Sequence, residues 1–210
     1  IVGAVTGLLT AALPVVADRH PGLLVHVNEW DADQIDQRIA QADVDVALCR
    51  APRVVPAGWR FEPLLADRFG IVAAASHPLA GRRLSLARLH RETWLALPTG
   101  SAARVAFEAL FADFPQPPPL CQVSNRVPSL LWAMLKARPL LTLLPISVAR
   151  QLLEAGELAE LPLDRPLPLE PLGALVPAQD PPAGAETLLQ VLRDTAGRQS
   201  PTPPVLRRRP

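Results

Sequence analysis

FGIVAAASHPLAGRRLSLARLHRETWLALPTGS, residues 69–101, is the stretch whose reading decides the fold. Its first seven residues are a continuous apolar run of strand length. His77-Pro78 ends that run, because proline fixes its own φ and restricts the residue before it. Ser85 can cap a one-turn helix reaching Leu89, its hydroxyl accepting from a free amide of the first turn. Residues 94–97 read as a second buried strand, and Pro98-Thr99-Gly100-Ser101 follows as an anion-friendly loop opening another helix. Strand, tight turn, short helix, strand and loop in that order make a hinge.

Outward from this hinge one pattern of elements appears twice. Residues 1–5 read as a buried strand, after which Leu8, Leu9, Ala12, Leu13 and Val16 recur at helical spacing until Pro21-Gly22. Leu23, Val25 and Val27 alternate with His26 and Asn28, a period of two that predicts a strand. Asp31 or Asp33 can cap a helix carrying Ile35 and Ile39, and residues 44–49 supply a third strand. Beyond the hinge, strands over 94–97, 120–123 and 140–144 alternate with helices over 102–111 and 129–136. Residues 59–75 give two further strands between the sets. A helix over 147–153, two strand-like stretches and a last helix around 185–192 complete the chain. Parallel strands need both faces covered, so each set predicts its own small sheet between helices. The expected fold is α/β, with two Rossmann-like lobes joined by two crossover strands. Lobe I takes residues 1–72 and 165–196, lobe II takes 73–164, and 197–210 is expected as a disordered tail.

The hinge stretch resembles the effector-binding domain of LysR-type transcriptional regulators, in which an apolar strand, His-Pro-Leu, a Leu-x-x-Leu helix and an aromatic residue precede the next strand. Here these are His77-Pro78-Leu79, Leu86 to Leu89, and Trp94. ADVDVALCRAP resembles the family's run ending the third strand, and LLTLLPISVAR the stretch where an apolar strand meets Leu-Pro before a Ser-led helix. The resemblance covers residues 1 to 195 and implies a clamshell like that of type 2 periplasmic binding proteins. Two positions depart from it. Arg138-Pro139-Leu140 stands where relatives place Gly-x-Gly, and Cys49 stands where glycine is frequent, so side chains are expected to crowd the ligand's approach.

Composition limits the alternatives. Of 210 residues 49% are hydrophobic and 20% charged, which fits a packed core and excludes a disordered or highly charged chain. A formal charge of +1 lacks the basic footprint needed to grip duplex DNA. The basic cluster Arg207, Arg208 and Arg209 falls in a proline-rich end and reads as a solvated tail. Cys49 and Cys121 have no CxxC spacing and read as reduced core thiols; His20, His26, His77 and His90 show no ligand pattern, so no metal and no cofactor are expected. The apolar opening is too short and too interrupted to span a membrane. The first residue is not Met, so a fragment or a processed chain is expected.

In open α/β sheets ligands bind outside the carboxyl ends of strands, where helix N-termini offer unpaired amides. Thr6 and Gly7 mark one such place, with a helix cap by Thr6 as the competing reading. Thr99, Gly100 and Ser101 mark the strongest, a hydroxyl-glycine-hydroxyl loop. Asn125 lies ahead of Pro128, where a capping role competes with ligand contact. Arg50 follows the third strand and can pair a carboxylate bidentately, unless it is an exposed loop arginine. Trp30 can wall the site, although large aromatics more often fill cores. No catalytic residue is expected, since GxSxG, P-loop and zinc spacings are all missing.

The resemblance implies a small-molecule effector-sensing domain that is not an enzyme, in a cytoplasmic bacterial regulator. The effector, expected to be a carboxylate, would sit between the lobes and shift their orientation. The family implies a homodimer, a tetramer at full length, and DNA contact only through a separate N-terminal winged helix-turn-helix. A solute-binding protein of a transport system is the alternative on the same scaffold.

Overall fold

The computed structural model describes residues 2–30, 34–164 and 166–199. Helix α1 covers Val2–Arg19, so the strand expected at its start is helical. Val5, Leu8, Ala12 and Val16 are all buried and recur at intervals of three and four, which makes Val5 the first member of the apolar stripe. Ile1 and the proposed caps Asp31 and Asp33 lie outside the described residues. α1 ends at Arg19 ahead of the Pro21-Gly22 turn, and residues 23–28 form no regular element, with Leu24 79% and Val27 57% exposed.

The remaining elements are α2 (Ile35–Ala40), β1 (Ala47–Arg50), β2 (Trp59–Ala74), α3 (Leu86–Leu89), α4 (Ala102–Leu110), α5 (Pro128–Ala137), β3 (Thr142–Pro145), α6 (Ile146–Glu154), β4 (Leu158–Leu161), β5 (Leu167–Pro177) and α7 (Ala183–Gln199). Where two strands were expected over 59–75, β2 is a single strand of 16 residues. α7 continues to Gln199, into the expected tail. The strands form one connected sheet in the order β1-β5-β2-β3, with β4 also on β2. β1 with β5, and β2 with β3 and β4, pair antiparallel. Two separate parallel sheets were expected, but β2 and β5 are long enough to join all named strands. Trp94 makes isolated parallel bridges to Leu120 and to Leu141, so the strands expected at 94–97 and 120–123 shrink to single bridges. Prolines 98, 117, 118 and 119 bound them, and proline cannot donate to a ladder.

The chain forms two compact units. Unit 1 takes Leu8–Ala66 and the chain from Pro171; unit 2 takes Val2–Gly7 and Asp67–Glu170. In unit 1 Ala47, Cys49 and Leu175 pack with Ile35 and Ile39 of α2, while Ala174, Val176 and Leu48 pack with Leu189 of α7. The sheet is therefore covered on both faces. Arg193 of α7 binds both carboxylate oxygens of Glu62 of β2 through Nε and Nη2, its Nη1 reaches Glu186 at 2.8 Å, and Arg60 reaches Glu62 at 2.8 Å. In unit 2 Ile71, Ala73, Trp94, Leu141 and Leu143 face α3 and α4, while Val72, Leu95, Leu140 and Leu144 face α5 and α6. That alternation is the period of two of a strand with both faces buried.

Candidate functional site

Trp94 bridges Leu120 on one side and Leu141 on the other, both in parallel. The three segments therefore end at one edge of unit 2, and each continues into a helix: α4, α5 and, through β3, α6. The first amides of such helices lack intrahelical acceptors, so this edge gathers donors and helix dipoles.

The loop into α4 is shaped by Gly100, whose φ of +85° strains any residue bearing a Cβ. Ser101 is the N-cap, in extended conformation, and its Oγ accepts from the Arg104 amide at 3.2 Å. The same hydroxyl donates to the Pro98 carbonyl at 2.8 Å, and the Ser101 amide donates there too. Ser101 thus shapes the loop, with its proton already engaged by Pro98. Thr99 and Gly100 are exposed at the tip.

At the start of α5, Ser124 donates to the Ala96 carbonyl at 3.1 Å, which ties this segment to the neighbouring parallel one. Asn125 Oδ1 accepts from the Val127 amide at 3.1 Å and fixes the turn. Its Nδ2 is enclosed and has no hydrogen-bond partner among the described residues. A buried amide without an acceptor costs about 1–3 kcal/mol, so this donor calls for an oxygen. Asn125 does not cap α5, whose N-cap is Val127 with no side-chain cap bond; the Oδ1 of Asn125 shapes the turn ahead of the helix, and Nδ2 is the atom left over.

The start of α6 is occupied from within. Asp67 of β2 accepts from the Ser147 amide at 3.2 Å and from its hydroxyl at 2.6 Å. Sequence reasoning missed this pair. Thr6 and Gly7 lie inside α1, not at a strand-to-helix turn, so Thr6 caps nothing. A Cβ on Gly7 would stand 3.9 Å from the Ser147 carbonyl oxygen, which puts Gly7 near the Asp67-capped end.

Arg50 and Trp30 belong to unit 1. Arg50 is the last residue of β1, half-buried and opposite Leu172. Trp30 is half-buried, with the Arg38 guanidinium 5.4 Å above its ring and Arg38 in turn 3.1 Å from Asp43. The structure thus brings Thr99, Gly100, Ser101 and Asn125 to one edge, sets Thr6 and Gly7 in the helix beside α6, and leaves Arg50 and Trp30 in the other unit.

The two departures from the family pattern are absorbed locally. Cys49 points into the core with α2, where burial pushes its thiol up to about 11, and Gly173 stands opposite it across the ladder. Arg138 ends α5 in extended conformation, and Leu140 is buried beneath that helix, so neither needs the backbone freedom of glycine. Both cysteines are free, but Cys121 is only half-buried, not a core thiol. Among the described residues no cluster of three His, Cys, Asp or Glu could hold a metal ion, and no helix is long and apolar enough to cross a membrane.

Comparison with known proteins gives the family. The LysR substrate binding domain model matches residues 2–197. The HTH-type transcriptional regulator GbpR of Azospirillum brasilense is 28% identical over 190 residues, covering 89% of this chain and 56% of GbpR. The chain thus spans little more than half of that relative. Among solved structures, the CcmR regulatory domain of Synechocystis in complex with 2-PG superposes with a TM-score of 0.75 at 17% identity, over 95% of this chain and 96% of that one. HinK, a LysR family transcriptional regulator from Pseudomonas aeruginosa, gives a TM-score of 0.72 at 16% identity, over 94% of this chain and 69% of HinK. These superpositions establish the type 2 periplasmic-binding-protein-like fold, and the family match over nearly the whole chain establishes that it belongs to the LysR substrate binding domain family.

Proposed function

We propose that this chain senses a small-molecule effector for a bacterial transcriptional regulator. The observation that carries the reading is the enclosed, unpartnered Nδ2 of Asn125 at the edge where α4 and α5 begin. An oxyanion accepts from Asn125 and from the free α4 amides at once, so a carboxylate is the expected chemistry. Thr99 at the loop tip supplies a further hydroxyl, Gly100 and Ser101 hold the loop in shape, and in unit 1 Arg50 and Trp30 are the proposed contacts. The CcmR domain, whose structure contains 2-PG, supports a small ligand on this fold. The chain performs no chemistry of its own: its curated relatives are transcriptional regulators, and binding alone shifts a population of conformations. In the full-length cytoplasmic protein a separate N-terminal module contacts DNA, and copies of the chain assemble as a homodimer.

The test begins with a thermal-shift screen against small organic acids, since a ligand selective for the folded state raises its apparent stability. Asn125→Asp keeps the Oδ1 acceptor for Val127 and replaces the donor with a charge that repels an anion. Calorimetry with the identified acid is expected to show binding weakened roughly ten- to hundredfold in a chain that remains folded, as circular dichroism checks. Equal affinity in wild type and N125D would place the site elsewhere.

A further inference from the structure

His77 lies in the turn that follows β2, and it is 6% exposed. Its amide donates to the Ala74 carbonyl and its carbonyl accepts from the Ala80 amide, both at 2.9 Å, so it is a hub of that turn. Its Nδ1 accepts from the Leu79 amide at 3.1 Å. An imidazole nitrogen that accepts carries no proton, so the ring is neutral with its hydrogen on Nε2. Nε2 is enclosed and meets no acceptor with hydrogen-bond geometry among the described residues, although the Pro139 carbonyl is near enough to favour a charged ring.

We propose that His77 is an acid-sensitive latch on this turn: protonation of Nδ1 turns the acceptor of the Leu79 amide into a donor facing a donor, and releases the turn. The charged groups that face the ring are Glu92, which favours the imidazolium, and Arg88, which opposes it. These two form an ion pair with each other, and Glu92 is the stronger influence at His77, joined by the Pro139 carbonyl. Burial decides the balance and holds the imidazole below its ordinary 6.5. A base held below its ordinary value contributes stability that is present above that value and is lost as pH falls through the lowered one.

Hydrogen exchange of the Leu79 amide, corrected for the intrinsic rate, tests the latch. Between about pH 7.5 and 5 the wild-type chain is expected to lose protection, by roughly tenfold per unit once the imidazole titrates. His77→Asn offers a side-chain oxygen that can accept the same amide and does not titrate, so its protection is expected to stay level. Wild-type protection independent of pH, or an equal fall in H77N, would overturn the proposal. Ring nitrogen NMR of the wild type gives a second measure that needs no variant. An unprotonated Nδ1 at neutral pH, lost in step with Leu79 protection, supports the latch; a proton on Nδ1 at neutral pH overturns it.

Discussion

Replacing Glu62 with glutamine removes one charge from a closed ring of ions and separates how α7 is held from the packing beneath it. Glu62 sits between Arg193 and Arg60, and Glu186 completes the ring through Arg193 at 2.8 Å and Arg60 at 3.7 Å. The hydrogen bond from Arg193 outweighs the opposing effect of burial and, with a lesser hydrogen bond from Arg60, pulls the Glu62 carboxyl from its ordinary 4.5 down to about 2. At about 1.4 kcal/mol per pKa unit that difference corresponds to roughly 3 kcal/mol favouring the ionised form. Glu62 has 20% of its side chain exposed, but Arg193 has 31% and Arg60 40%, so water screens the partners and about 1–2 kcal/mol is expected in practice. The sign follows from the depressed value: the contribution is complete above the ordinary carboxylate range and is lost as pH falls through it toward 2. Urea unfolding of wild type and Glu62→Gln over a pH series measures this directly. The variant is expected to be less stable by about 1–2 kcal/mol near neutrality, with more than half of the gap closed by about pH 3. A gap that stays constant with pH, or one below about 0.3 kcal/mol near pH 7, would show that α7 is held by packing alone.

Glycine positions give a contrasting pair. A Cβ on Gly173 would stand 2.2 Å from the Glu62 backbone oxygen, so Gly173→Ala is expected to cost roughly 3 kcal/mol in urea unfolding. At Gly70 the nearest atoms are the ends of the Ile146 and Glu160 side chains, which can move, so Gly70→Ala is expected to cost clearly less in the same assay. Ser101→Ala removes the α4 cap and is expected to lower stability by about 1 kcal/mol, read as a shift in urea midpoint at unchanged slope. The Cys49 thiol, 3% exposed and pushed up to about 11, is expected to resist iodoacetamide near pH 8 in the native chain and to react in urea, as peptide mass spectrometry would show.

Local signals in this chain were legible and long-range ones were not. Ser85 caps its helix as spacing predicts, because a cap is written in four consecutive residues, and Ser101, expected as a ligand contact, is a cap by the same local rule. Pro128 opens α5 and Pro145 leads into α6 for the same reason. Residues 1–5 and 23–28 carry strand-like composition, but a strand exists only where a partner lies alongside, and that is decided elsewhere in the chain. The fusion of two expected strands into β2 follows from ladders made with β3 and β4, far along the sequence. In the candidate site, the loop through Ser101 and the turn at Asn125 were readable. Which atoms of them remain available was not, since that depends on the acceptor Pro98 and the donor Val127 provide in three dimensions. Asp67 and Ser147 meet across 80 positions, and no local pattern announces such a pair.

That meeting bears on how specificity could be retuned. Of the three helices that begin at the edge of unit 2, one arrives with a resident carboxylate, so the sensing role proposed above leaves an anion the starts of α4 and α5 and not that of α6. Evicting the resident, by Asp67→Ala, would free the Ser147 amide and hydroxyl for an exogenous acid, in a place remote in sequence from the loops ahead of α4 and α5.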